Sequence, residues 1–95
     1  MKTHKNILSE KLKIESFKQK YEEEKKLIEI SLKIHDIREK LGLTQSFVAK
    51  KANITQQQLS KIENGENCNI LTFIKVCKAL GLEINFINSN NQQFV

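Results

Sequence analysis

The stretch from Thr44 to Gly65, TQSFVAKKANITQQQLSKIENG, constrains this chain more than any other, because it turns from one helical pattern into a second within Asn53-Ile54-Thr55. Apolar Phe47, Val48 and Ala52 belong to the first helix. Asn53 follows, the side chain that best tolerates a left-handed backbone where glycine is absent. Thr55 stands three residues ahead of Gln58, the reciprocal capping pattern of a helix start. A second helix is therefore predicted from about Gln56. Asn64-Gly65 ends it, since glycine suits the left-handed position beyond a helix.

With Leu59 and Ile62 as the buried pair of that second helix, its 3.6-residue turn points Gln57, Lys61 and Asn64 away from the core. Ser60 flanks them, and Gln56 lies on the exposed first turn. A face that only meets solvent usually carries Glu and Lys; this one, Lys61 apart, carries short neutral donors and acceptors. Gln and Asn amides match adenine N6 and N7 in the major groove, and Ser and Lys reach phosphate or guanine. Gln56, Gln57, Ser60 and Lys61 are thus the candidate base readers. A plain polar surface helix is the competing reading.

The spaced pattern Leu43-Thr44-Gln45, Val48-Ala49, Ile54-Thr55-Gln56-Gln57 and Ile62-Glu63-Asn64-Gly65 resembles the lambda/434-repressor type of helix-turn-helix, the Xre-like family. The resemblance extends through Leu80-Gly81-Leu82, roughly half the chain. It implies a pairing of Arg38 with Glu63, set against a reading in which Arg38 faces solvent or phosphate. It also implies a phosphate contact for Gln45, at a helix N-terminus whose free N–H groups attract anions. Asn64 and the loop residues Asn67 and Asn69 are the other candidates for phosphate, although Glu66 is unfavourable beside one.

Ninety-five residues leave room for one domain, and the absence of Pro with only three Gly favours an all-α class. The expected fold is a five-helix, lambda-repressor-like domain with an N-terminal helical arm and a short C-terminal strand. The net charge of +5 favours an anionic partner. Residues 41–95 are the acid-poor part, with five Lys against three Glu, which suits a surface facing phosphates. Cys68 and Cys77 form no CxxC pair and have no His cluster near them, so neither a metal site nor any cofactor is expected. Cys77 falls in an apolar helical pattern and Cys68 in a polar loop. With no signal peptide and no long apolar run, the expected setting is the bacterial cytoplasm, in association with the nucleoid, and no membrane is expected. No nucleophile and base constellation suggests an enzyme.

In chain order, residues 1–26 read as the arm, 27–87 as the DNA-binding domain and 88–95 as a disordered tail. Within the arm, Ile7, Ile14, Phe17 and Tyr21 share a face, while Leu8 and Leu12 fall nearly opposite. Either the arm packs back on the core or it keeps an apolar surface for another protein. The run Glu22 to Lys26 is most simply a solvated face, and a weak boundary is placed there. Ile30, Ile34, Ile37 and Leu41 recur at helical spacing up to Gly42. After a helix from about Ile70 to Leu80, with few exposed positions, Leu82 to Phe86 alternates with period two and predicts a strand. Leu82, Ile84 and Phe86 would pair with the same strand of a second copy, giving a homodimer; an extended tail on the helices is the other reading.

An arm of this size ahead of the core, with Phe17 and Tyr21 followed by Glu22, Glu23 and Glu24, looks like a HigA-type antitoxin. That resemblance implies a dimer on double-stranded operator DNA that represses its operon. It also implies that the arm holds a small basic RelE-like toxin, an mRNA-cleaving enzyme, with those five residues in contact. A stand-alone repressor and a protein-interaction module that does not bind DNA are the alternatives.

Overall fold

A single helix, α1, runs unbroken from His4 to Lys40 in the computed structural model, which describes residues 4–94. No Gly or Pro interrupts this stretch, and its Glu, Lys, Leu and Ile favour helix throughout. The boundary expected near residue 26 is therefore absent. Arm and first core helix are one element, and the described residues hold four helices where five were expected. At 1.5 Å per residue α1 is about 55 Å long, and it sets the longest dimension of the molecule, 61 Å. Only its C-terminal third packs on the rest: Ser31, Ile34 and Arg38 are buried, and residues 8–26 are exposed on every side. The side chain of Ile7, expected on the arm's apolar face, lies outside the described residues.

The helices α2 (Gln45–Ala52) and α3 (Gln56–Glu63) form the turn pair. Thr44 caps α2, accepting from the Phe47 amide at 3.1 Å. Asn53 closes it in the left-handed conformation, at φ 58°. Thr55 and Gln58 make both halves of the capping box: Thr55 Oγ1 accepts from the Gln58 amide at 3.0 Å, and Gln58 Oε1 accepts from the Thr55 amide at 2.9 Å. Gly65 carries the chain away from α3 at φ +84°, and a Cβ there would stand 3.1 Å from Ile28 Cγ1 of α1. Both the backbone sign and the close approach favour glycine.

Leu59, Val48 and Val76 are fully buried, joined by Ile34, Ala49, Ala52, Ile62, Ala79 and Leu80. The core thus lies where α1, α2, α3 and α4 (Ile70–Ala79) meet. Cys77 is buried as expected, whereas Cys68 is half-buried against the core and not in a fully polar loop. Burial raises both thiols above their ordinary range. The first turn of α4 departs from expectation: Ile70 is 78% and Leu71 61% exposed.

Beyond Gly81 residues 82–85 of the alternating segment form no regular element. Strand β1 covers only Phe86–Ile87, and it pairs antiparallel with β2, Gln93–Phe94, of the same chain. The Asn88 side chain forms the turn, its Oδ1 accepting from the Asn90 amide at 3.0 Å and the Gln92 amide at 2.8 Å, with Asn91 at φ 61°. This local asparagine chemistry gives β1 a partner within the protomer. Residues 88–94 are therefore a hairpin, not the disordered tail expected, and of Leu82, Ile84 and Phe86 only Phe86 is in a strand. No described helix is long and apolar enough to cross a membrane.

Truncating the central side chain tests this core. Leu59→Ala should destabilise the fold by about 2–5 kcal/mol, read as a lower midpoint in chemical denaturation with an unchanged slope.

Candidate nucleic-acid interface

The orientation of α3 rests on one buried ion pair. Arg38 of α1 meets Glu63, the last residue of α3, through two hydrogen bonds: Nε to Oε2 at 2.8 Å and Nη2 to Oε1 at 2.9 Å. Its third nitrogen, Nη1, donates to the Leu43 carbonyl at 2.7 Å. One guanidinium thereby ties together α1, the α1–α2 turn and α3. Planar two-pronged geometry of this kind is what arginine, and not lysine, offers a carboxylate.

His35 completes the cluster and had no signal beyond its place one turn ahead of Arg38. Its Nδ1 lies 2.8 Å from Glu63 Oε1 and its Nε2 3.3 Å from Glu39 Oε1. Burial works to raise the Glu63 carboxyl, but hydrogen bonds from Arg38, His35 and Gln45, with the charge of Arg38, hold it below the usual carboxylate range. The hydrogen bonds to Glu63 raise the Arg38 guanidinium against the opposing cost of burial. Among the described residues no buried side-chain nitrogen or oxygen lacks a partner.

With its inner side fixed in this way, α3 presents Gln56, Gln57 and Lys61 to solvent, with Ser60 half-buried between them. Gln58 is taken out of that set by the capping box. Asn64 is exposed at the end of α3, and Gln45 is half-buried at the first turn of α2, close enough to Glu63 to help hold its charge. The α3 face is therefore a row of donors and acceptors on a helix whose back is locked.

The remaining phosphate candidates are engaged locally. Asn69 caps α4, its Oδ1 accepting from the Thr72 amide at 2.7 Å and the Thr72 hydroxyl at 2.8 Å. Asn67 Oδ1 accepts from the Cys68 amide at 2.9 Å. Both side-chain oxygens serve the fold, while the NH2 groups, the side-chain donors a phosphate would need, are not used in these bonds.

The arm residues separate as well. Phe17 and Tyr21 border a shallow hollow of about 220 Å³ together with Lys20 and Glu24. Glu22 and Glu23 fall on other sides of α1, and Glu23 accepts from Gln19 Nε2 at 3.1 Å. Consecutive residues on a helix diverge by about 100°, so the three glutamates cannot act as one patch with the aromatic pair.

Comparison with known proteins bears on this geometry. The family model described as helix-turn-helix matches residues 34–87. The antitoxin HipB of Escherichia coli O6:H1 strain CFT073 is 36% identical over 56 residues, which are 58% of this chain and 60% of HipB. The chain thus spans about three fifths of the length of that relative. A solved complex of HipA and HipB with O2 and O3 superposes at a TM-score of 0.62 and 30% identity, covering 66% of this chain and 90% of the other. A point mutant of C.Esp1396I bound to its highest-affinity operator site gives a TM-score of 0.57 at 33% identity, covering 60% and 76%.

Removing one partner of the buried pair should be severe. Arg38→Ala removes the guanidinium and both of its bonds to Glu63, leaving the buried carboxylate with only His35 and Gln45, and should cost about 3–5 kcal/mol. Because the folded carboxyl titrates below its unfolded value of ~4.3, its contribution is present above that pH and is lost as pH falls through the folded value. Glu63→Gln should flatten the acid limb of the stability profile, followed by circular dichroism.

Proposed function

This chain belongs to the helix-turn-helix family, and from that premise we propose that it is a DNA-binding antitoxin that acts as a dimer on operator DNA and represses its own operon. The observation that carries the DNA-binding part is the exposed row of Gln56, Gln57 and Lys61 on a helix whose opposite side is pinned by Arg38 and Glu63. Paired amides at that position suit adenine edges, and Lys61 suits phosphate or guanine. Gln45, Asn64 and the loop amides of Asn67 and Asn69 are assigned to the backbone, where contacts position the domain without reading sequence. The solved relative bound to an operator site supports this assignment.

The antitoxin part draws on the HipB relative and on the arm. The family match begins at Ile34, and the N-terminal part of α1 stands outside it with Phe17 74% and Tyr21 61% exposed. Large aromatic side chains on a projecting helix favour a protein partner. We assign the toxin to this surface, with Phe17, Tyr21 and Glu24 as its contacts, and Glu22 and Glu23 as charges on the arm's flanks. A HigA-type layout and a basic RelE-like toxin are the finer form of the proposal. The HipA–HipB complex among the structural relatives supports the broader form, a protein partner for an antitoxin. A stand-alone regulator is the second reading, favoured by the likeness to a restriction-modification controller protein.

Gln57→Ala should weaken binding to a duplex from the region upstream of its own gene by about 1–3 kcal/mol and relax sequence preference. Lys61→Ala should lower the slope of log affinity against log salt by about 1, both read by fluorescence anisotropy. Phe17→Ala with Tyr21→Ala should abolish co-purification of the adjacent gene's product and leave duplex affinity unchanged. Retention of that product would favour the stand-alone regulator.

A further inference from the structure

The two sides of the α1 arm differ in charge, and the aromatic pair lies on the basic one. At about 3.6 residues per turn, Ile14, Phe17, Tyr21, Ile28 and Leu32 share one side of the helix. All are exposed, Ile28 at 51% and Leu32 at 55%. The stripe therefore continues beyond the arm, past the point where Ile28 approaches Gly65, over a length of about 27 Å.

Lysines border this stripe on both edges. Lys11, Lys18 and Lys25 stand seven residues apart along one edge, and Lys13 and Lys20 stand seven apart along the other. All are exposed, and among the described residues none of them is held in an ion pair. The acids on this side are Glu10 and Glu24. On the opposite side the balance reverses: Glu15, Glu22 and Glu23 stand beside Leu8 and Leu12, and Lys26 there is paired with Glu29 at 3.3 Å.

A seven-residue repeat with an apolar seam and charged shoulders is the pattern of a helix that packs lengthwise against another helix. Ile14, Tyr21 and Ile28 take the first seam position, Phe17 the second, and the lysines both shoulders. Shoulder residues of two paired helices meet, so opposite charge selects the partner. A parallel second copy would set Lys13 against Lys18 and Lys20 against Lys25, and an antiparallel one would set lysines of the same edge together. Like charges at those places disfavour a second copy. A nucleic acid would satisfy the lysines but leave Ile14, Ile28 and Leu32 uncovered.

We propose that this stripe receives an amphipathic helix of the toxin, about five turns long, whose apolar seam is bordered by Asp and Glu. The sign concerns that docking helix alone and leaves the net charge of the toxin open. Glu24 interrupts the seam, and a polar residue in a seam sets the register of the pair. The facing position of the docking helix therefore carries a hydrogen-bond donor. Such a helix presupposes that the toxin binds the arm, as assigned above, and adds the chemistry it brings there.

The full chain and the product of the adjacent gene, purified separately and mixed, are followed by isothermal titration calorimetry. Lys18→Glu and Lys25→Glu should each weaken the complex about fivefold, and together by at least about tenfold. Lys26→Glu makes the same change of charge one residue further on, on the opposite side of the helix, and should alter affinity by less than about twofold. Leu32→Glu should weaken the complex about tenfold. Circular dichroism checks that each variant keeps its fold. A complex that is unchanged or tighter in the Lys18 and Lys25 variants, or equally weakened by Lys26→Glu, would overturn the acidic helix while leaving the toxin on the arm. An unchanged complex in Leu32→Glu would overturn the five-turn contact. A wild-type chain that binds single-stranded RNA through these lysines and does not bind the product would overturn both the docking helix and the antitoxin reading.

Discussion

Everything that α3 presents to the outside depends on what Arg38 and Glu63 do on the inside. A helix of eight residues is too short to hold itself, and Leu59 and Ile62 fix its depth in the core better than its rotation. The two-pronged contact supplies the missing constraint, because a planar guanidinium accepts a carboxylate in one orientation. The third bond of Arg38, to the Leu43 carbonyl, extends the constraint to the turn that leads into α2. A buried ion pair offers little net stability over a well-packed apolar alternative. Its value here is geometric: it sets which residues of α3 face out.

That fixed rotation separates roles that the sequence leaves mixed. Three consecutive glutamines begin α3, yet Gln58 turns back to the Thr55 amide while Gln56 and Gln57 stay exposed. Three asparagines follow α3, and the oxygens of Asn67 and Asn69 are bound to nearby amides, that of Asn69 capping α4. The arm repeats the lesson on a longer helix, where Glu24 sides with Phe17 and Tyr21 and its two neighbours do not. Adjacent residues on a helix do not share a surface, so a motif read as a string has to be re-read as a face.

The parts of the fold that could be read in advance are those decided by neighbours in the chain. Asn53 in the left-handed conformation, the Thr55–Gln58 box and the glycine after α3 each follow from local chemistry. Arg38 with Glu63 spans 25 residues, and only resemblance to a family suggested it. His35 carried no such hint. The charged run at Glu22 to Lys26 reads as a solvated helix face, as it is in α1, but the weak boundary placed beside it has no break in the helix to mark it, since Glu and Lys are good helix formers. Of the alternating segment read as a strand from Leu82, only Phe86–Ile87 forms one, and its partner was not legible, since alternation specifies a face and says nothing of which strand lies beside it. The Asn88 turn supplied that partner within the chain.

The central claim is that the outward face of α3 is a surface for duplex DNA. It is tested most directly by following backbone amide resonances while the full chain is titrated with a duplex from the region upstream of its gene. The account predicts shifts concentrated at Gln56, Gln57, Ser60, Lys61 and the first turn of α2, diminishing as salt is raised. Shifts confined to the arm, or none in α3 at saturating duplex, would contradict it.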